Sequence, residues 1–128
     1  MHHGLLTLLF APSLLLAQAT AIRPHAELKV GTAVENLDLV GEADRFKVTP
    51  DTRLFVWAKV MGAADSTVSC VFTKGDKTTK LSLKVPRSPY RTHAYRTFRK
   101  GDEGEWTVKL IGDQGAELGS ATFTVEIL

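Results

Sequence analysis

Cysteine and histidine are scarce in this sequence. Cys70 is the only cysteine, so an intramolecular disulfide is excluded and the stability of the fold must come from packing. Of the four histidines, only His93 lies well inside the part of the chain that is patterned as a folded domain. A His-x-x-x-His pair, a Cys pair and a Gly-x-Ser-x-Gly elbow are all absent. These absences disfavour zinc chemistry and nucleophilic catalysis, and we expect neither an enzyme nor a bound cofactor or metal ion.

The lone thiol and one acidic cluster each have two interpretations. Cys70 alternates with Val68 and Phe72, which favours a buried apolar role over an intermolecular disulfide or a reactive thiol. Residues 102–105 (Asp-Glu-Gly-Glu) supply oxygen atoms that would suit a calcium ion, although such a cluster is more often a solvated turn. Neither feature defines a chemical site by itself.

The first 19 residues have the composition of a signal peptide. Met1–Ala19 contains no acidic residue, carries a leucine-rich apolar run and ends in an Ala-Gln-Ala triplet of the kind that signal peptidase accepts. We expect cleavage before Thr20 and export to the periplasm or the medium, leaving a short tail (residues 20–25) and one domain (residues 26–128). The alternative is a retained membrane anchor, which the short apolar run disfavours because about 20 residues are needed to span a bilayer.

Beyond that segment, apolar and polar residues alternate as they do in short antiparallel strands that bury one face. No helical pattern with caps is present outside the signal segment. We predict seven strands: residues 26–36 with a kink at Gly31, then 53–60, 67–74, 77–85, 90–98 and 105–111, and finally a strand in which Ala121, Phe123, Val125 and Ile127 point inward. A polar connection is expected over residues 37–51.

A β-hairpin centred on Gly75-Asp76 is the most specific local prediction. A two-residue Gly-Asp link between alternating runs is typical of a type II′ turn. Its second strand is expected to point Leu81, Leu83 and Val85 inward and Lys80, Ser82 and Lys84 toward water.

Seven strands in about a hundred residues fit an all-β fold, an immunoglobulin-like antiparallel β-sandwich. A small closed barrel is the alternative. Trp106 alternates with Val108 and Leu110, which indicates a core position. Trp57 points away from the face that carries Leu54, so it is either covered in a central strand or exposed as an aromatic binding residue.

Several segments resemble a known family. An arginine-rich strand (residues 90–98) leads to a Gly-x-Trp-x-Val strand (residues 104–108), a Gly-x-x-Leu turn (residues 115–118) and a closing Phe-x-Val (residues 123–125). Over residues 26–128 the chain resembles a family of secreted bacterial domains of unknown function, number 2914. The resemblance implies secretion and a β-sandwich, and it implies no catalytic or binding residue.

Positive charge is concentrated in one part of the chain. Between Lys74 and Lys100 nine basic residues stand against a single acid, Asp76, whereas the rest of the mature domain is net acidic. In the strand over residues 90–98 and just after it, alternation places five residues on one face: Arg91, His93, Tyr95, Thr97 and Arg99. The candidate ligand-binding residues are Arg91, His93, Tyr95, Arg99, Lys80, Lys84 and Trp57.

Such a face offers planar donors to carboxylate, sulfate or phosphate groups, together with a surface on which a sugar ring can stack. The expected partner is an acidic polysaccharide, a lipid headgroup or an acidic protein, and nucleic acid is disfavoured because no nucleic-acid-binding signature is present. Basic residues also protect strand edges from aggregation, and this explanation stays open. The sequence predicts a non-catalytic binding module or, alternatively, an assembly module that packs through a sheet edge or the Trp57 face into a larger complex.

Overall fold

A computed structural model describes residues 23–128, and this range contains ten strands. They are β1 (His25–Gly31), β2 (Ala33–Glu35), β3 (Asp38–Val40), β4 (Arg45–Val48), β5 (Thr52–Met61), β6 (Ser66–Lys74), β7 (Lys77–Val85), β8 (Tyr90–Phe98), β9 (Gly104–Ile111) and β10 (Glu117–Ile127). The predicted signal peptide lies outside the described residues. Between residues 23 and 128 there is no helix of the length and apolar character that a membrane span requires.

The strands form two sheets and one separate hairpin. The first sheet has the order β1-β5-β8, the second has the order β4-β10-β9-β6-β7, and β2 pairs only with β3. These orders correspond to strands A, B and E of one immunoglobulin sheet and to C′, C, F and G of the other, with β4 added beside the last strand. The predicted all-β immunoglobulin-like sandwich is therefore confirmed.

One hydrophobic core fills the space between the two sheets. Alternate residues of β5, β6, β9 and β10 are buried, as their period-two pattern requires. Trp106 is fully buried at a T-shaped contact of 5.3 Å with Phe98, so its predicted core position is confirmed. Cys70 is also fully buried, and burial raises the pKa of its thiol to about 12, which fits the apolar role.

The hairpin of β6 and β7 forms as predicted. Lys74 pairs with Lys77, and Gly75 takes a φ of +58°, which the first central position of a type II′ turn requires. On β7, the side chain of Val85 is buried and those of Lys80 and Lys84 are exposed. The predicted facing of this strand is confirmed.

Three short strands were not predicted. The strand expected over residues 26–36 ends at Gly31, where β1 gives way to the β2–β3 hairpin, and the connection expected over residues 37–51 contains β3 and β4. The strand β4 runs parallel to β10, so the sandwich is not purely antiparallel as predicted. The strand is held by Phe46, whose buried ring meets Phe123 at 6.1 Å in a T-shaped contact. Its sequence, Arg-Phe-Lys-Val, does alternate, but a run of four residues is at the lower limit of what alternation can identify.

The acidic segment that leads into β9 exposes Glu103 and Glu105, as a solvated turn does, but it buries Asp102. Asp102 is buried and accepts hydrogen bonds from the backbone N–H of Arg99 at 2.9 Å, from Lys77 Nζ at 2.9 Å and from Arg96 Nη1 at 3.2 Å. Its own carbonyl oxygen accepts the indole N–H of Trp106 at 2.8 Å. Burial by itself raises the pKa of Asp102, but these hydrogen bonds outweigh it and lower the pKa from 3.8 to about 2. The carboxylate therefore joins the two sheets at one end of the sandwich.

Candidate functional site

The outer face of the three-stranded sheet brings together basic and aromatic side chains from three strands. In the pairing of β5 with β8, the outward-facing residues are direct neighbours: Phe55 lies opposite Tyr95, Trp57 opposite His93 and Lys59 opposite Arg91. The strand β1 adds Lys29 opposite Trp57. We call this surface the basic-aromatic face, and it consists of Lys29, Arg53, Phe55, Trp57, Lys59, Arg91, His93 and Tyr95.

The aromatic rings form the middle of this face. Phe55 lies 5.5 Å from the ring centre of Tyr95 and 6.3 Å from that of His93. The guanidinium of Arg53 covers the ring of Tyr95 at 4.5 Å. Because a cation already stacks on Tyr95, a sugar ring would have to displace Arg53 to use that side of the ring.

The β2–β3 hairpin crosses the basic-aromatic face and is fixed to it by side chains. The indole N–H of Trp57 donates to the carbonyl of Leu37 at 2.8 Å, and Arg91 Nη1 donates to Asp38 Oδ1 at 3.1 Å. The hairpin approaches β1 so closely that a Cβ atom at Gly31 would lie 2.6 Å from the carbonyl oxygen of the last residue of β3. Glycine is therefore required at this position, and Trp57 is half-covered by the hairpin.

The hairpin leaves a groove between its turn and the start of β8. This groove has a volume of about 490 Å³, within the range of small-molecule sites. It is lined by the cationic side chains Lys59, Arg87 and Arg91 and by Leu37, Pro89 and Tyr90, and we call it the basic groove.

Local structure places two of the cations of the basic groove. Lys59 and Arg91 are direct cross-strand partners, so their side chains extend from neighbouring positions about 5 Å apart. Arg87 belongs to the loop between β7 and β8, where its guanidinium lies 5.0 Å from the ring centre of Tyr90. The backbone N–H of Gly62 donates to Ser88 Oγ at 2.7 Å and ties this loop to the end of β5.

On the other side of the hairpin lies a smaller groove of about 290 Å³. It is lined by Lys29, Asp38, Leu39, Glu42 and Trp57. Two acids and one base line it, so its charge does not favour an anion. The basic groove is the better candidate for the predicted ligand.

The structure brings some of the predicted site residues together and separates others. Arg91, His93, Tyr95 and Trp57 share the basic-aromatic face. Arg99 lies one residue beyond β8, and its guanidinium pairs with Asp51 at 3.3 Å. Lys80 and Lys84 stand on the outer face of the five-stranded sheet, and neither lines the basic groove.

Lys59 and Tyr90 line the basic groove but were not singled out from the sequence, and Arg87 was recognised only as part of the basic segment. Lys59 alternates with Trp57 on β5, which is the signal that places it on the same outward face. Its proximity to Arg91 depends on the β5–β8 register, which alternation within either strand does not determine.

Among residues 23–128, no group of three His, Cys, Asp or Glu side chains is arranged to hold a metal ion. Every buried side-chain polar atom in this range has a hydrogen-bond partner. The basic groove offers a ligand three cationic side chains and an apolar surface.

A comparison with known protein families finds one match. Residues 65–125 match the model of a family described as a protein of unknown function, DUF2914. This range includes β6 to β9 and most of β10, and with them two of the three cations of the basic groove. No curated protein matches the chain.

Proposed function

Through residues 65–125 the chain belongs to the DUF2914 family, and we propose that it is an exported, non-catalytic binding module for an anionic ligand. The single observation that supports this proposal is the basic groove. Three cationic side chains line it, and no acidic side chain does. Two of the three are arginines, whose planar guanidinium groups match the oxygens of carboxylate, sulfate and phosphate.

Two of the three cations of the groove are not placed to protect a strand edge. Lys59 belongs to the central strand of its sheet, where both edges are already paired with β1 and β8. Arg87 lies in a loop rather than in a strand. Edge protection would explain cations on edge strands such as Lys80 and Lys84 of β7, but it does not explain these two.

An array of acidic glycans and acidic lipids, probed with the purified protein, tests the proposal. The variant Arg87→Ala/Arg91→Ala removes two charges from the basic groove, and Lys80→Ala/Lys84→Ala removes the same charge from the other sheet. We expect salt-sensitive binding that the first variant loses by about tenfold or more and the second retains.

Two results would contradict the proposal. Binding that both variants retain would place the ligand elsewhere on the surface. Binding that does not weaken between about 50 mM and 500 mM salt would argue against recognition by charge, because exposed charges are strongly screened at the higher concentration.

Apolar exposure on the same side of the molecule favours a second candidate, an assembly module that packs into a larger complex. Leu37 at the hairpin turn is 52% exposed and Tyr95 is 44% exposed. Concentration-dependent association in sedimentation experiments, abolished by Leu37→Ser and by Trp57→Ala, would favour this candidate. A monomer at all concentrations would exclude self-assembly through this face.

A further inference from the structure

The charge of the basic groove limits what kind of anion it can neutralise. Three cations line the groove, and Asp38 offsets one of them through its pair with Arg91 at 3.1 Å. Glu27 lies opposite Lys59 in the pairing of β1 with β5, but no ion pair joins these two side chains among the described residues. Lys59 and Arg87 are therefore the two cations of the groove that remain without an ion-pair partner among the described residues.

Common anionic groups differ in the charge that they carry at neutral pH. A carboxylate, a sulfate ester and a phosphodiester each carry one negative charge. A phosphomonoester carries between one and a half and two, because its second pKa is about 6. Of these groups, the phosphomonoester best matches the charge that remains in the groove.

The basic groove combines cations with an apolar surface. Lys59 and Arg91 extend side by side from paired strands, and Arg87 approaches from the loop before β8. Leu37, Pro89 and Tyr90 form an apolar wall beside these cations, against which an organic group can pack.

We infer that the basic groove binds a phosphomonoester, with the phosphate held by Lys59, Arg87 and Arg91 and the esterified group packed against Leu37, Pro89 and Tyr90. This inference rests on the proposed function, whose ligand class it names. The ligand could be a soluble phosphate ester or a lipid headgroup that ends in a phosphomonoester, because the two share the same chemistry.

Phenyl phosphate and phenyl sulfate form a matched pair of probes, since they have nearly the same shape and differ by about one charge at pH 7.5. We expect calorimetric titration to give about fivefold tighter binding of phenyl phosphate at pH 7.5 and low salt. The ratio of the two affinities should fall toward one at pH 5, where the phosphate has lost its second charge. Because both probes meet the same protein at each pH, titration of protein groups affects the two affinities alike to a first approximation.

Three variants assign the preference to the groove. Lys59→Met should reduce the preference for phenyl phosphate over phenyl sulfate. Arg87→Ala should lower the affinity for both probes. Lys84→Ala, on the other sheet, is the control and should change neither the preference nor the affinity for either probe. Equal affinity of the two probes at pH 7.5, or a ratio that does not change with pH, would overturn the inference.

Vesicles distinguish the two sources of the phosphate. Binding to phosphatidic acid vesicles, but not to phosphatidylglycerol vesicles of matched surface charge, would identify a lipid phosphomonoester, and binding of phenyl phosphate alone would identify a soluble ligand. If acidic glycans bind through Arg87 and Arg91 while phenyl phosphate shows no preference, the proposed function stands and this inference fails. If no anion binds, both fail.

Discussion

Replacing Asp102 with asparagine is expected to destabilise the protein at neutral pH and to have a much smaller effect near pH 2. Asparagine preserves the shape of the side chain but removes the charge that faces Lys77 and Arg96. The side chain of Arg96 is only 17% exposed, and its guanidinium lies 4.3 Å from the ring centre of Trp106. Without the carboxylate, this nearly buried cation would have no counter-ion.

The magnitude follows from the pKa of Asp102. Its pKa is lowered from 3.8 to about 2 in the folded protein, which corresponds to about 2 kcal/mol of folding free energy. Because the folded-state pKa is the lower one, this contribution is fully present above about pH 4 and is lost as the pH falls toward 2. We expect Asp102→Asn to cost about 3 kcal/mol at pH 7, with the excess due to the unpaired Arg96.

Urea unfolding of the wild type and of Asp102→Asn at several pH values between 7 and 2 measures this effect. Other carboxylates titrate in both proteins, so the difference between the two curves isolates Asp102. The difference should shrink by about 2 kcal/mol between pH 5 and pH 2. A difference that stays constant over this range would refute the assignment of the stabilisation to the Asp102 carboxylate.

Three further predictions concern the core and the hairpin. The thiol of Cys70 should not react with a thiol-specific reagent at pH 8 until urea unfolds the protein, because it is fully buried and burial raises its pKa to about 12; rapid labelling of the native protein would contradict this. Phe46→Ala should cost about 3 kcal/mol in urea unfolding by leaving a cavity beside Phe123, and a cost near zero would mean that β4 does not stabilise the sandwich. Trp57→Phe should speed amide exchange in the β2–β3 hairpin by about fivefold without changing global stability, since only the hydrogen bond to Leu37 is lost; unchanged exchange would show that this bond does not hold the hairpin.

The parts of the fold that local pattern determines were predictable from the sequence. Gly75 and Asp76 between two alternating runs specify both the turn and the register of the β6–β7 hairpin, because a two-residue turn leaves one pairing available. The strands β5 and β8 are long enough for their alternation to identify the buried face. The parallel pairing of β4 depends on the distant β10, and nothing near Phe46 in the sequence indicates it.

The candidate site was predictable in part for the same reason. Alternation on β8 identifies Arg91, His93 and Tyr95 as neighbours on one face. The contribution of Lys59 required the β5–β8 register, and that of Arg87 required the path of a loop. Composition and periodicity therefore do not predict how distant segments of the chain pair.

The role of Asp102 was not predicted from the sequence, because its surroundings there are misleading. Its acidic neighbours made the loop resemble a solvated turn, yet the buried carboxylate is surrounded by donors from β7, β8 and the loop itself. A buried charge of this kind becomes recognisable only when its partners are brought together by the fold.

The most direct test of the basic groove as an anion-binding site is to map where an anion binds on the protein in solution. Backbone amide shifts of the isotope-labelled protein should be followed while phenyl phosphate is added at low salt. We expect shifts concentrated around Lys59, Arg91, the hairpin turn at Leu37 and the loop that carries Arg87. Shifts confined to the outer face of β6 and β7, or no shifts at millimolar ligand, would contradict this expectation.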